Sequence, residues 1–104
     1  MNLYYDPEKF GLTTVGELDY SSGAYEFDLT VVWVDEARHL YYADDSGCSC
    51  PSPFEGTGRN DLTRTTITGL RNHLRGRMKE AYGEYVTDSN VVDLVEKARK
   101  AVSR

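Results

Sequence analysis

Hydrophobic and polar residues alternate along 25–34, with Tyr25, Phe27, Leu29, Val31 and Trp33 on one face and Glu26, Asp28, Thr30, Val32 and Val34 on the other. A period of two in aromatic and β-branched residues predicts a strand. Leu12 to Tyr20 alternates less cleanly, and Ser21-Ser22-Gly23 makes a short hairpin connection into the next strand. Asp35-Glu36-Ala37 reads as a second turn and Arg38 to Ala43 as a third strand. The prediction is a three-stranded antiparallel meander. Its aromatic face lies beneath the helices that follow, and the other face, carrying Glu17, Asp19, Glu26 and Asp28, is wet.

The period then changes. Residues 44–60 are dominated by Gly, Pro, Ser and Asp, so they read as a long loop, and Phe54 with two prolines favours an ordered, packed one. Ile67, Leu70, Leu74, Met78, Ala81, Tyr82 and Tyr85 recur at helical spacing and predict an amphipathic helix over 67–85. Thr87, Asp88 or Ser89 can cap a second helix with core face Val91, Leu94, Val95, Ala98 and Val102. The expected fold is α+β, in the order β-β-β-α-α, with both helices on one face of the sheet. Length fits a single domain over 1–104. It divides into an acidic sheet half (1–44), a Cys/Pro/Gly loop (45–60) and a basic helical half (61–104).

Charge sharpens that division. Residues 1–58 hold eleven acids and two bases, residues 59–104 six acids and ten bases, and the whole chain is at −5. An acidic total disfavours a protein whose entire surface neutralises phosphate. The split favours self-complementary docking or a divided binding surface. The longest apolar run, Val31 to Val34, falls far short of the ~20 residues of a membrane span. The first eight residues lack the basic and apolar regions of a secretory leader, so an intracellular, membrane-free domain is expected.

Candidate chemistry is sparse. Cys48 and Cys50 are too closely spaced for the usual zinc pair, and His39 and His73 are the only other soft ligands. Small side chains letting the loop pack between the sheet edge and the helices is the favoured reading. Asp44 and Asp45 before Ser-Gly are more often a turn than a cation site. Gly56-Thr57-Gly58 lacks the Lys-Ser/Thr and the preceding strand of a phosphate loop, and Ser49 and Ser52 have no nucleophile-elbow motif. No catalytic residue, cofactor or metal is therefore expected.

A basic stripe is the better signal. At 100° per residue, Arg64, Arg71 and Arg75 fall near one line, with Lys79 drifting off it, flanking the apolar face. From there the arginines can pair with the acidic sheet, meet phosphates or meet an acidic partner. Gly69, Gly76 and Gly83 recur every seven residues and would form a smooth strip for close approach of another backbone. The alternatives are a merely weakened helix or Gly83 beginning its C-terminal turn.

Tyr4-Tyr5-Asp6-Pro7-Glu8, the segment from Tyr25 through Trp33, and above all Asp44-Asp45-Ser46-Gly47-Cys48-Ser49-Cys50-Pro51-Ser52-Pro53-Phe54-Glu55 resemble a family of small uncharacterised proteins of actinobacteriophages. The resemblance covers roughly residues 4–60 and transfers no catalytic residues. It implies expression in the cytoplasm of a bacterial host and a host or phage protein as partner. The expected function is a non-catalytic protein-interaction module. Its contact surface would be the 67–85 helix together with Asp45, Cys48, Cys50, Pro51, Phe54 and Glu55, since ordered loops on a scaffold often carry function. The alternative is a nucleic-acid-associated regulator using the basic helix 64–79. An acidic decoy mimicking nucleic acid is weaker because the other half is basic, and self-association stays open.

Overall fold

The computed structural model describes residues 2–22, 25–48 and 52–103. Strands Leu12–Asp19 (β1), Glu26–Asp35 (β2) and Leu40–Cys48 (β3) form the expected antiparallel meander. A short strand, Thr63–Thr65 (β4), adds to β3, so the described residues form a four-stranded sheet in the order β1-β2-β3-β4, not three. Three residues are too few for an alternation to register, but Thr suits an edge strand.

The segment expected to be loop from residue 44 is strand as far as Cys48. Asp44, Asp45, Ser46 and Gly47 lack strand composition, yet they continue the register, opposite Thr30, Leu29, Asp28 and Phe27. Pairing with a long neighbouring strand overrides their propensity, and a division at 44–45 therefore cuts β3. A short 3₁₀ turn, Arg59–Asp61, follows the remaining loop.

The helices are Ile67–Glu80 (α1) and Asp88–Val102 (α2). Thr66 caps α1 by accepting from Gly69 N at 3.1 Å. At α2, Thr87 Oγ1 accepts from Asn90 N at 3.4 Å while Asn90 Oδ1 accepts from Thr87 N at 2.9 Å, a reciprocal cap. Helix α1 stops at Glu80, short of the expected Tyr85, because Tyr82 (φ 57°) and Gly83 (φ 65°) turn left-handed. Their N–H groups donate to Lys79 O and Met78 O, each at 3.0 Å, which closes the last turn. Tyr82 and Tyr85 consequently leave the apolar stripe and stand 93% and 50% exposed.

Both faces of the sheet are covered, and this reverses the expected facing of β2. Leu29, Val31 and Trp33 do not lie beneath the helices: with Leu3, Leu12 and Phe54 they form a core on the opposite face. Tyr4, Phe10 and Leu62 pack around it, and a 3₁₀ turn over Pro7–Phe10 shapes the N-terminal segment. Phe27 is half-buried there, while Tyr25 stands 86% exposed. The helices instead cover the supposedly wet face, where Tyr20, Val32 and Leu40 meet Leu70, Leu74, Val91, Leu94, Val95 and Ala98. A strand buried on both sides reads as a continuous apolar run, which Val31-Val32-Trp33-Val34 is.

A β-bulge between Thr14 and Gly16 explains the blurred alternation of β1. Leu12 belongs to the lower core, whereas Val15, Leu18 and Tyr20 pack under the helices. Gly16 is needed for close approach: a methyl there would sit 2.8 Å from Leu94 Cδ1.

Candidate functional site

Three surfaces or clusters gather polar side chains, and the first lies between α1 and the sheet. Asp28, Thr30 and Asp44 project from β2 and β3 toward the helix, Thr30 being directly opposite Asp44 in the register. Tyr20 Oη donates to Thr30 Oγ1 at 2.9 Å, and Thr30 Oγ1 donates in turn to Asp44. From α1, His73 Nε2 meets Asp44 Oδ2 at 2.7 Å, with its ring stacked on Tyr42 at 4.1 Å. Arg77 donates to Asp28, lies 3.6 Å from Asp44 Oδ1 through Nε, and covers the Tyr20 ring with its guanidinium carbon 4.7 Å from the centroid. Burial pushes the Tyr20 phenol up to about 12. Burial alone would lower the Arg77 pKa, but the charges of Asp28 and Asp44 outweigh it and raise it.

Chemically this is a clamp. The Thr30 hydroxyl is fully buried and hydrogen-bonded to Asp44 and Tyr20, not to His73. The residues are thus not disposed as nucleophile, base and orienting acid, which would need a hydroxyl–imidazole bond. Asp28 stays on the face expected to be wet, which α1 covers, and becomes an ion-pair partner of that helix.

The second cluster closes the β2–β3 turn on the other face. Asp35 accepts from Ala37 N (2.9 Å), His39 N (2.8 Å) and Tyr41 Oη (3.0 Å), and its Oδ2 lies 3.2 Å from His39 Nδ1 and 3.5 Å from Arg59 Nη2. Burial opposes ionisation of this carboxyl, yet the His39 and Tyr41 hydrogen bonds prevail and hold its pKa below the ordinary value. His39 and His73 are therefore held by carboxylates on opposite faces of the sheet, so one ion cannot take both. Among the described residues no group of three His, Cys, Asp or Glu side chains gathers as a metal site.

The third feature is a groove of about 310 Å³ between α1 and α2. Arg71 and Arg75 line one side, Asp88, Glu96 and Arg99 the other, and Val91, Val92 and Val95 form the floor, with Val92 57% exposed. Arg99 pairs with Glu96 at 3.3 Å. Arg64, Arg71, Arg75 and Lys79 are exposed and form no ion pair among the described residues. The stripe read from the sequence thus faces outward instead of reaching the acidic sheet. Arg77 makes that reach, and the signal for it was its i,i+4 spacing from His73, which places both on the side facing β3.

The remaining candidates separate. Asp45 Oδ2 accepts from Phe54 N at 2.7 Å, and Phe54, 1% exposed, packs edge-on against Trp33 with centroids 5.4 Å apart. Glu55 Oε2 accepts from Ser52 N at 3.2 Å. Asp45 and Phe54 tie the loop down under the sheet, away from the helices, while the Glu55 contact lies within the loop, so Phe54 is a core residue and not a presented one. Cys50, Pro51 and the Cys48 side chain lie outside the described residues. The glycine strip does not form as one surface. Gly69 sits against the cap, where a methyl would come 2.5 Å from Thr65 Oγ1; Gly76 has open space around it; Gly83 has left the helix for its closing turn.

Fold and surfaces together define a small α+β domain in which a carboxylate–guanidinium clamp holds one helix to the sheet and leaves an open groove beside the next. The chain belongs to the family described as a domain of unknown function, DUF7574, whose model matches residues 1–104. It matches no curated protein and no solved structure. Among the described residues no helix is long and apolar enough to cross a membrane.

Proposed function

We propose that this chain is a non-catalytic protein-interaction module whose contact surface is the α1–α2 groove. The observation that carries this reading is an exposed valine, Val92, on an apolar floor bordered by Arg71 and Arg75, two arginines without an ion pair among the described residues. An apolar centre with a charged rim is the usual anatomy of a protein contact. The rim chemistry suits a partner segment that offers an apolar side chain flanked by carboxylates. The resemblance of residues 4–60 to actinobacteriophage proteins supports a host or phage protein as that partner, met in the host cytoplasm.

The test is affinity capture from expressing cells with matched variants. A protein retained by the wild type and by Glu84→Gln, but lost with both Val92→Glu and Arg75→Glu, supports the groove. A partner that survives both groove variants removes it.

A nucleic-acid-associated role is the second reading, supported by the outward-facing Arg64, Arg71, Arg75 and Lys79. Asp88 and Glu96 on the opposite lip work against it, since they would repel phosphate.

A further inference from the structure

On the face of the sheet away from the helices, a hollow of about 340 Å³ opens between the N-terminal segment and the start of β2. Tyr5 and Tyr25 border it, large hydrophobic side chains that stand 61% and 86% exposed. Glu17, Asp19 and Glu26 line the same hollow, and among the described residues no basic side chain does. None of these three carboxylates is ion-paired among the described residues. Glu17 accepts from Tyr4 Oη at 2.7 Å, and Asp19 Oδ1 accepts from Ser21 N and Oγ at 2.9 and 2.6 Å, so both are fixed in place. The sequence places this hollow in the strongly acidic half of the chain.

Aromatic faces and carboxylates attract the same kind of ligand. A ring face draws a cation through its quadrupole, and a concave low-dielectric wall focuses the field of nearby carboxylates. We propose that this hollow binds a lysine or arginine side chain from a basic segment of a partner protein. The alkyl stem lies on the Tyr5 and Tyr25 rings and the charged head meets Glu17 and Asp19. The size of the hollow suits one long side chain and not a helix face, which favours an extended basic segment over the chain's own α1. The site lies across the sheet from the α1–α2 groove and stands or falls independently of it.

The experiment is an NMR titration of the full chain with two blocked pentapeptides, Gly-Lys-Gly-Lys-Gly and Gly-Glu-Gly-Glu-Gly. The lysine peptide is expected to shift amides around residues 4–5, 17–19 and 25–29, more weakly as salt rises, and the glutamate peptide to shift none of them. Tyr5→Ala and Tyr25→Ala leave the net charge unchanged and, being at exposed positions, leave the fold intact by circular dichroism. Each is expected to weaken lysine-peptide binding by roughly two- to five-fold, the size of an exposed cation–π contact. Glu17→Gln should weaken it as well. No binding, or affinity unchanged in both tyrosine variants, overturns the proposal, since diffuse attraction to an acidic protein would not depend on the rings. Shifts confined to α1 and α2 also overturn it. So does sedimentation showing self-association that Arg71→Gln abolishes and the lysine peptide competes away, because the occupant is then a second copy.

Discussion

Tyr82 holds a left-handed backbone (φ 57°) at the position that closes α1, with its ring 93% exposed. A side chain there costs roughly 1–2 kcal/mol that glycine avoids, partly offset by the greater chain entropy of glycine when unfolded. Tyr82→Gly is expected to raise stability by about 0.5–1 kcal/mol, read as a higher urea midpoint at unchanged slope. Asp35 gives the opposite kind of handle. Its folded pKa is depressed, so its contribution is present above the ordinary carboxylate range and is lost as pH falls through that range and below. In Asp35→Asn the protein should be less stable near neutrality, and the difference from wild type should shrink on acidification. Urea unfolding across an acid pH series checks this.

At the scale of elements, neighbours decide what a glycine or a strand does. Gly76 has open space where a side chain would go, so Gly76→Ala should stabilise α1 by about 0.5–1 kcal/mol. Gly16→Ala would push a methyl against Leu94 and should cost roughly 1–3 kcal/mol, a contrast that thermal unfolding of the two variants would show. The helices and the β1–β2–β3 meander were legible because their periods, caps and turns agree. The facing of β2 was not. Alternation tells that two faces differ, but here each face carries its own core, and only the run Val31 to Val34 hinted at burial on both. Strand β3 was legible as far as Ala43. Beyond it, Asp44 and Asp45 are held in strand by pairing with Thr30 and Leu29, and their side chains then serve the tertiary fold, one at His73 and the other at the Phe54 amide.

Across the whole molecule, the acidic and basic halves meet at Arg77, whose partners are Asp28 and Asp44, at His73 on Asp44 and at Arg59 on Asp35, while Arg64, Arg71 and Arg75 look outward. The outward stripe was readable from spacing. The clamp was not, because its carboxylates come from two strands whose register could not be read before β3 was known to extend. Arg71→Gln with Arg75→Gln separates the two functional readings. If the surface meets nucleic acid, the double variant should weaken duplex binding uniformly across sequences and flatten its salt dependence by about two phosphate contacts. Absence of duplex binding by the wild type at low salt would leave the protein-interaction reading alone.

The lone tryptophan, Trp33, sits in the layer without helices, packed on Phe54. Its emission therefore reports on the attachment of the N-terminal segment and the 52–62 loop, whereas far-ultraviolet circular dichroism is dominated by α1 and α2 on the far side. The two layers share β2 as their common wall, so loss of either strips one side of the same strand. Unfolding curves followed by the two signals should superimpose, the mark of a single cooperative unit. If emission changes first, the lower layer detaches as a local unit while the helices stay docked. The fold thus carries its own pair of independent reporters, one on each side of the sheet.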